Sequence, residues 1–238
     1  MAMTSTDTAK TLDSMRKASN TIWEKTLENH SSDIDQMMRA LTTIYSWSKA
    51  LETKSEASIL LKESLLDLFA SINSIMNGYY RQGMISLRSC LEMILDFVYY
   101  VDHPIEYKRW RQATGTNAES KVSKWLEQEG LLSADYSKLF VPEINVKGSL
   151  SDKARSMYGK LSKFTHAQRV DVMQIGKQSM QMSYDIGKFG TARSYFLDVI
   201  SLCNVALCIR FWDDFQKSGS LQSDTSYLIL LHGDVIRP

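Results

Sequence analysis

The first hundred residues of the chain place apolar side chains three or four positions apart, the spacing of one face of an α-helix. The pattern predicts helices over residues 7–29, from Ser32 to about residue 53, over 55–76 and over 79–101. Ser32, with Asp35 three positions later, forms a capping-box pattern, so we expect the second helix to begin there. Neither glycine nor proline occurs in residues 1–77, and this absence favours long helices.

The second half of the chain is less regular. The pattern predicts shorter helices over 105–113 and 118–129, a loop over 141–150, a helix over 151–165 and a long helix over 191–217. Residues 167–190 are punctuated by glycine and alternate weakly, which is compatible with a loop or with a short β-hairpin near 178–190. The apolar run Tyr227–Leu231 is a candidate for a short C-terminal strand.

These elements predict an all-α fold, a helical bundle with long antiparallel helices that forms one domain over residues 1–238. We expect residues 56–217 to form the core, with residues 7–53 as a two-helix extension at the N-terminus. That extension carries more large apolar side chains than one buried stripe requires, among them Trp23, Met37, Met38 and Trp47. We therefore expect a homodimer or a complex with a partner protein.

Several features favour a cytoplasmic protein that does not enter a membrane. The N-terminus lacks a basic segment followed by an apolar one, so no signal peptide is expected. The apolar run from Val199 to Trp212 is interrupted by Asn204 and Arg210 and is too short to span a bilayer. Three cysteines in apolar, helix-like contexts behave as small hydrophobic residues in a reducing compartment.

Net charge is only +1, but the charge is unevenly distributed. Residues 147–193 carry 9 basic and 3 acidic side chains, a net charge of +6, whereas residues 1–146 carry 16 basic and 19 acidic ones, a net charge of −3. A basic segment can contact phosphate even in a neutral protein, although a solvated lysine-rich face has the same composition.

Established catalytic and metal-binding motifs are missing from the sequence. It contains no phosphate-binding glycine loop, no HExxH, no GxSxG and no zinc-type spacing of cysteine and histidine. The four histidines are scattered. We therefore expect no metal and no cofactor.

Two polar groups are candidates for chemistry. Arg88 and Glu92 lie four positions apart in an otherwise apolar helix, so they share a face and form either an architectural ion pair or a functional charge. Downstream, the segment MYGKLSKFTH places Ser162 and His166 four positions apart among lysines. An imidazole in a basic surrounding suits acid–base chemistry on a phosphodiester, whereas the plainer interpretation is a histidine that caps its helix or hydrogen-bonds the Arg88–Glu92 pair.

The stretch YYRQGMISLRSCLEMILDFVYYVDHPIEYKRW, followed later by MYGKLSKFTH, resembles the HEPN superfamily over roughly residues 56–217. The resemblance implies a helical bundle that often dimerises, and in many members a metal-independent ribonuclease of bacterial toxin or phage-defence systems. His166 matches the histidine of the family's motif. Lys160 stands six positions earlier, where the family has arginine.

On this resemblance we expect His166 to act as general acid and base. Lys160 and Arg88 would stabilise the phosphorane and Glu92 would orient Arg88, while Arg155, Lys163 and Arg169 would bind RNA. A non-catalytic binding or regulatory subunit on the same fold remains an alternative. A small-molecule-binding bundle is a third interpretation.

Overall fold

The structure of the chain, a computed structural model, describes residues 5–112, 144–145, 150–166, 183–231 and 235–236. These residues are predominantly helical, as the sequence predicts. The helices are α1 (Ser5–Ala50), α2 (Ile59–Met76, entered through a 3₁₀ turn at Glu56–Ser58), α3 (Tyr80–Tyr100), α4 (Pro104–Gln112), α5 (Leu150–Thr165), α6 (Ile186–Arg210), α7 (Trp212–Lys217) and α8 (Gly219–Leu231). Two short strands, β1 (Ile144–Asn145) and β2 (Val235–Ile236), pair antiparallel.

Helix α1 consists of two helical segments joined at a kink, close to the break that the sequence predicts. The backbone leaves helical geometry only at His30, with φ −135° and ψ 26°. The His30 imidazole is held on both sides, by Asp33 at 3.2 Å and by the Tyr184 hydroxyl at 2.9 Å. The predicted break between a helix that ends at residue 29 and one that starts near Ser32 is therefore confirmed, since the only non-helical backbone inside α1 is at His30.

Helices α2 and α3 form a tight antiparallel hairpin whose turn requires glycine. Gly78 has φ +76°, and a Cβ there would lie 2.9 Å from the carbonyl oxygen of Ser183. Further along, a Cβ on Gly83 would lie 2.7 Å from a side-chain carbon of Ile75. The lack of a side chain at Gly83 thus lets the two helices approach closely.

Helix α6 runs through the centre of the bundle and begins earlier than predicted. The Asp185 side chain accepts a hydrogen bond from the Lys188 backbone N–H at 2.9 Å and caps the helix, which ends before Phe211. The described part of the predicted hairpin, residues 183–190, contains no strand. Helix α6 is long and apolar enough to cross a membrane. However, 78% of its most apolar 18-residue stretch is buried inside the bundle, as in the core helix of a soluble protein.

The C-terminal strand predicted at Tyr227–Leu231 is wrong, because these residues continue α8. The helix is started upstream, where the Ser218 hydroxyl accepts a hydrogen bond from the Leu221 backbone N–H at 3.3 Å. A two-residue strand does occur near the C-terminus, at Val235–Ile236. The helix predicted over 118–129 lies outside the described residues.

One continuous apolar core joins α1 to α8, and it includes Met37 and Trp47. Those two side chains are therefore not available to a partner, contrary to expectation. Within this core, Asn204 accepts a hydrogen bond from the Trp47 indole at 3.0 Å and donates to the Thr43 hydroxyl at 2.8 Å. This buried network fixes α1 against α6. The three cysteines are free and buried, and burial raises the pKa of each thiol.

Candidate functional site

The predicted site residues lie along the seam between α3 and α5. Helix α5 buries Ala154, Met157 and Leu161 against the bundle. This leaves Tyr158, Ser162 and Thr165, which follow at helical spacing, at the edge that meets α3. Because Arg88 contacts Tyr158 and Arg81 contacts Thr165, the two helices run antiparallel along this seam.

Arg88, Glu92 and Tyr158 form one cluster. Glu92 Oε1 accepts hydrogen bonds from Arg88 Nε at 3.2 Å and Nη2 at 3.1 Å, and the same Nη2 donates to the Tyr158 hydroxyl. The Arg88 side chain is 17% exposed and that of Glu92 40%, so solvent reaches the carboxylate more than the guanidinium. Burial, and then the neighbouring Glu92 carboxylate, raise the pKa of Tyr158 and keep the phenol protonated.

Asp96 lies one turn beyond Glu92 on the same face of α3. Burial raises its pKa to about 7, and the Glu92 carboxylate contributes in the same direction. Among the described residues, no group donates a hydrogen bond to the Asp96 carboxyl. Glu92 and Asp96 therefore form a pair of carboxyl groups in which Glu92 is bound by arginine and Asp96 is held partly protonated at neutral pH.

Arg81, which the sequence analysis did not select, binds the C-terminal end of α5. Its Nε donates to the Phe164 carbonyl at 2.7 Å and its Nη2 to the Thr165 carbonyl at 3.2 Å. A cation at this position satisfies carbonyls that have no partner within the helix and complements the negative end of the helix dipole. The only signal in the sequence is that Arg81 precedes Arg88 by two helical turns and so shares its face.

His166 follows α5 directly and is exposed. Its backbone N–H donates to the Ser162 carbonyl at 3.0 Å. The two carbonyls that Arg81 binds belong to the residues immediately before it, so a guanidinium is anchored on the backbone directly before His166. Lys160, Lys163 and Arg155 are exposed on α5. Arg169 lies outside the described residues.

The structure brings only part of the predicted set together. Arg88 and Glu92 form their pair, but the pair contacts Tyr158, eight positions before His166. At 1.5 Å per residue, this separation is about 12 Å along the helix axis. Arg81, rather than Arg88, is the arginine of α3 that reaches the end of α5 at His166.

A second polar cluster, also missed in the sequence, lies at the kink of α1. The Asp33 carboxylate contacts His30 and lies 2.9 Å from the Nε of Arg193. The His30 ring stacks on Phe189, with the ring centroids 4.0 Å apart. The partners of His30 and Asp33 outside α1 are Tyr184, Phe189 and Arg193, which belong to α6 or its approach. They are more than 150 residues away in sequence, so spacing along the chain could not reveal these contacts. This arrangement ties the kink to the start of α6.

Among the described residues, no three metal-ligating side chains come together. Comparisons of the chain with protein-family models, with curated proteins and with solved structures find no match.

Proposed function

We propose that the end of α5 is an RNA-contacting site of a bacterial defence or toxin protein, and that His166 cleaves RNA there without a metal ion. The observation that carries the proposal is the position of Arg81. Its guanidinium is anchored on the Phe164 and Thr165 carbonyls, directly before an exposed histidine. A cation and an imidazole at one site can promote the cleavage of a phosphodiester, the imidazole by proton transfer and the cation by stabilising the developing charge.

The chemistry uses one histidine in two roles. The neutral imidazole of His166 takes the proton of a ribose 2′-hydroxyl, and the 2′-oxygen attacks the adjacent phosphorus. The bond from phosphorus to the 5′-oxygen breaks, and the imidazolium returns its proton to that oxygen. The products are a 2′,3′-cyclic phosphate and a 5′-hydroxyl. Two guanidinium nitrogens of Arg81, Nη1 and Nη2, retain N–H groups beyond those bonded to the carbonyls and can face the phosphate.

Binding of the RNA backbone is assigned to the exposed cations of α5. Lys160 and Lys163 are three positions apart and therefore neighbours on one helix surface, and Arg155 extends the same basic segment. In this proposal Arg88 has no direct role with phosphate, because Glu92 already neutralises its charge. Arg88 and Glu92 instead hold α5 in place through Tyr158.

The test compares wild type with His166→Ala and Arg81→Lys on a pool of single-stranded and structured RNAs, in buffer containing EDTA. Wild type is expected to release fragments with cyclic phosphate ends. His166→Ala is expected to lose activity by a factor of about 10² to 10⁴. Arg81→Lys retains the charge but not the planar fork, so a smaller loss is expected.

His103→Ala is the matched control, because His103 stacks on Tyr99, away from the seam. The control should cleave like wild type. A lack of cleavage by wild type, or cleavage unchanged in His166→Ala, would rule out the nuclease. A requirement for divalent metal would also contradict the proposal.

A non-catalytic binding subunit is the second candidate function. It is favoured by the closure of the Arg88–Glu92–Tyr158 cluster, in which the guanidinium is largely buried and its charge is neutralised, as in an architectural ion pair. A wild-type protein that binds RNA or protein with defined stoichiometry and cleaves nothing would support this alternative.

A further inference from the structure

Helix α5 exposes one aromatic ring near the proposed RNA site. Tyr158 is 37% exposed, although its hydroxyl accepts a hydrogen bond from Arg88. The guanidinium carbon of Arg88 lies 4.5 Å from the ring centre and covers one face of the ring. The exposed surface of Tyr158 therefore belongs to the ring edge and to the face that points away from Arg88.

Tyr158 shares a side of the helix with the histidine of the proposed site. Arg155, Tyr158, Gly159 and His166 follow at intervals of three, one and seven positions, so they lie on one side of α5, and all four are exposed. We call these four residues the α5 strip. Helical geometry continues to its end, since the His166 backbone N–H donates to the Ser162 carbonyl at 3.0 Å.

The strip is low between Tyr158 and His166. Gly159 has no side chain, and a Cβ there would meet no atom of the described residues within 4 Å. Ser162, the next residue along the same side, is small and partly buried. A polynucleotide can therefore approach the backbone of α5 between the exposed ring and the exposed imidazole.

The charges around Tyr158 suit an uncharged ligand at the ring. Glu92 lies 3.1 Å from the Arg88 guanidinium and neutralises it, so this pair does not attract a phosphate to the ring. Arg155, one turn before Tyr158 on the strip, is an exposed cation that suits a phosphate. The arrangement favours a base at the ring and the sugar–phosphate backbone along the strip.

Resting on the proposed function, we propose that the free face of Tyr158 stacks an unpaired base of the RNA that is cleaved at His166, which makes single-stranded RNA the substrate class. Aromatic side chains stack on the face of any unpaired base, and a base inside a duplex does not offer that face. Tyr158 lies about 12 Å from His166 along the helix axis. At about 3.4 Å for each stacked nucleotide, the bound base lies no more than about four nucleotides from the cleaved bond.

The experiment measures the affinity of the full chain for single-stranded oligoribonucleotides by fluorescence anisotropy. Every protein carries His166→Ala, so that the RNA stays intact, and the protein with this change alone is the parent. Tyr158→Leu removes the ring and is expected to lower affinity by about 5- to 100-fold. Tyr158→Phe loses the hydrogen bond from Arg88 but keeps the ring, so its affinity is expected to stay within about threefold of the parent. Tyr45→Leu, which removes an exposed ring from α1, is the control and should bind like the parent.

Oligoribonucleotides that lack one base, at each position in turn, test the contact itself. Removal of one particular base should weaken binding to the parent but not to Tyr158→Leu, because the two changes remove the same interaction. A duplex of the same sequence should bind the parent more weakly than the single strand. Thermal unfolding checks the fold of each variant, and the series on the parent requires no change at Tyr158.

Three results would overturn the stacking: equal affinities of the parent and Tyr158→Leu, a loss in Tyr158→Phe as large as in Tyr158→Leu, or no base whose removal affects the parent alone. Failure of the proposed function gives a different result. Cleavage that depends on His166 together with any of these three results overturns the stacking alone, whereas a chain that binds no RNA overturns both proposals. Binding through Tyr158 without cleavage by wild type supports the stacked base and overturns the nuclease.

Discussion

The guanidinium carbon of Arg88 lies 4.5 Å from the centre of the Tyr158 ring, across the seam between α3 and α5. This contact joins residues 70 positions apart and uses both the charge and the planar shape of arginine. Together with Arg81, it fixes α5 on α3 at two points, seven residues apart on each helix. The position of His166 depends on both.

Removing the Glu92 carboxylate should leave Arg88 without its counterion. Because Arg88 is largely buried and Glu92 is partly solvated, Glu92→Ala is expected to cost about 1–2 kcal/mol, less than the ~3–5 kcal/mol of a fully buried pair. Urea unfolding measures the loss. The control is Glu28→Ala, at an exposed position of α1, which should change stability by less than about 0.5 kcal/mol. Equal losses in the two variants would contradict a structural role for the cluster.

Asp96 should make the protein less stable as the pH rises. Its pKa is raised to about 7 in the folded protein, so the folded state binds more protons than the unfolded state between about pH 4 and pH 7. The loss of stability that accompanies the ionisation of Asp96 is therefore complete above about pH 7 and absent below about pH 4. Compared with wild type, Asp96→Asn should therefore be more stable by about 2–4 kcal/mol at pH 8 and nearly equal at pH 4. A difference that does not change with pH, in denaturant titrations at both values, would show that folding does not raise the pKa of Asp96.

Two glycine substitutions should act in opposite directions. Gly83→Ala places a methyl group 2.7 Å from a carbon of Ile75, so it should destabilise the α2–α3 hairpin by about 1–3 kcal/mol. A Cβ at Gly159 meets no atom of the described residues within 4 Å, so Gly159→Ala should stabilise the helix by about 0.5–1 kcal/mol. Thermal melting of the pair tests the packing of each helix. A loss of stability in both variants would contradict the finding that the surroundings of Gly159 leave room for a methyl group.

The Arg81 side chain should contribute more to the stability of α5 than the hydroxyl of Ser162 does. Arg81→Ala removes hydrogen bonds to two helix-end carbonyls and should cost about 1–3 kcal/mol, with faster amide hydrogen exchange in the last turn of α5. The Ser162 hydroxyl is buried and has no partner among the described residues, so Ser162→Ala should be neutral or slightly stabilising. A large loss in Ser162→Ala would mean that its hydroxyl has a partner after all.

Substitution of Asn204 should reduce the stability of the fold more than the size of this side chain indicates. Asn204→Leu keeps the branched shape of the side chain but leaves the Trp47 indole N–H buried and unpaired, which should cost about 1–3 kcal/mol. The Thr43 hydroxyl keeps its bond to the Ala40 carbonyl at 2.7 Å, so only one donor is left without a partner. Asn20→Leu, at an exposed position of α1, serves as the control in the same unfolding measurement. Similar stability in the two variants would contradict a structural role for the buried network.

Local sequence was sufficient for most helices. Apolar periodicity predicted both ends of α3 and α5 to within one residue and the end of α2 correctly, because the buried face of a helix repeats along the chain itself. The Arg88–Glu92 pair was predicted for the same reason, since a separation of four positions brings side chains together on any helix. The sequence also showed that the N-terminal helices carry more large apolar side chains than one buried stripe requires, although Met37 and Trp47 proved to be core residues.

Only the tertiary structure decided the remaining features, because their partners are distant in sequence. The kink at His30 depends on Tyr184, 154 positions away, and the anchoring of α5 depends on Arg81, 83 positions before Phe164. Tyr227–Leu231 is helical because of the helix that precedes it, whereas the same five residues taken alone suit a strand. The raised pKa of Asp96 follows from burial, a property of packing that a pattern of neighbours along one helix does not contain.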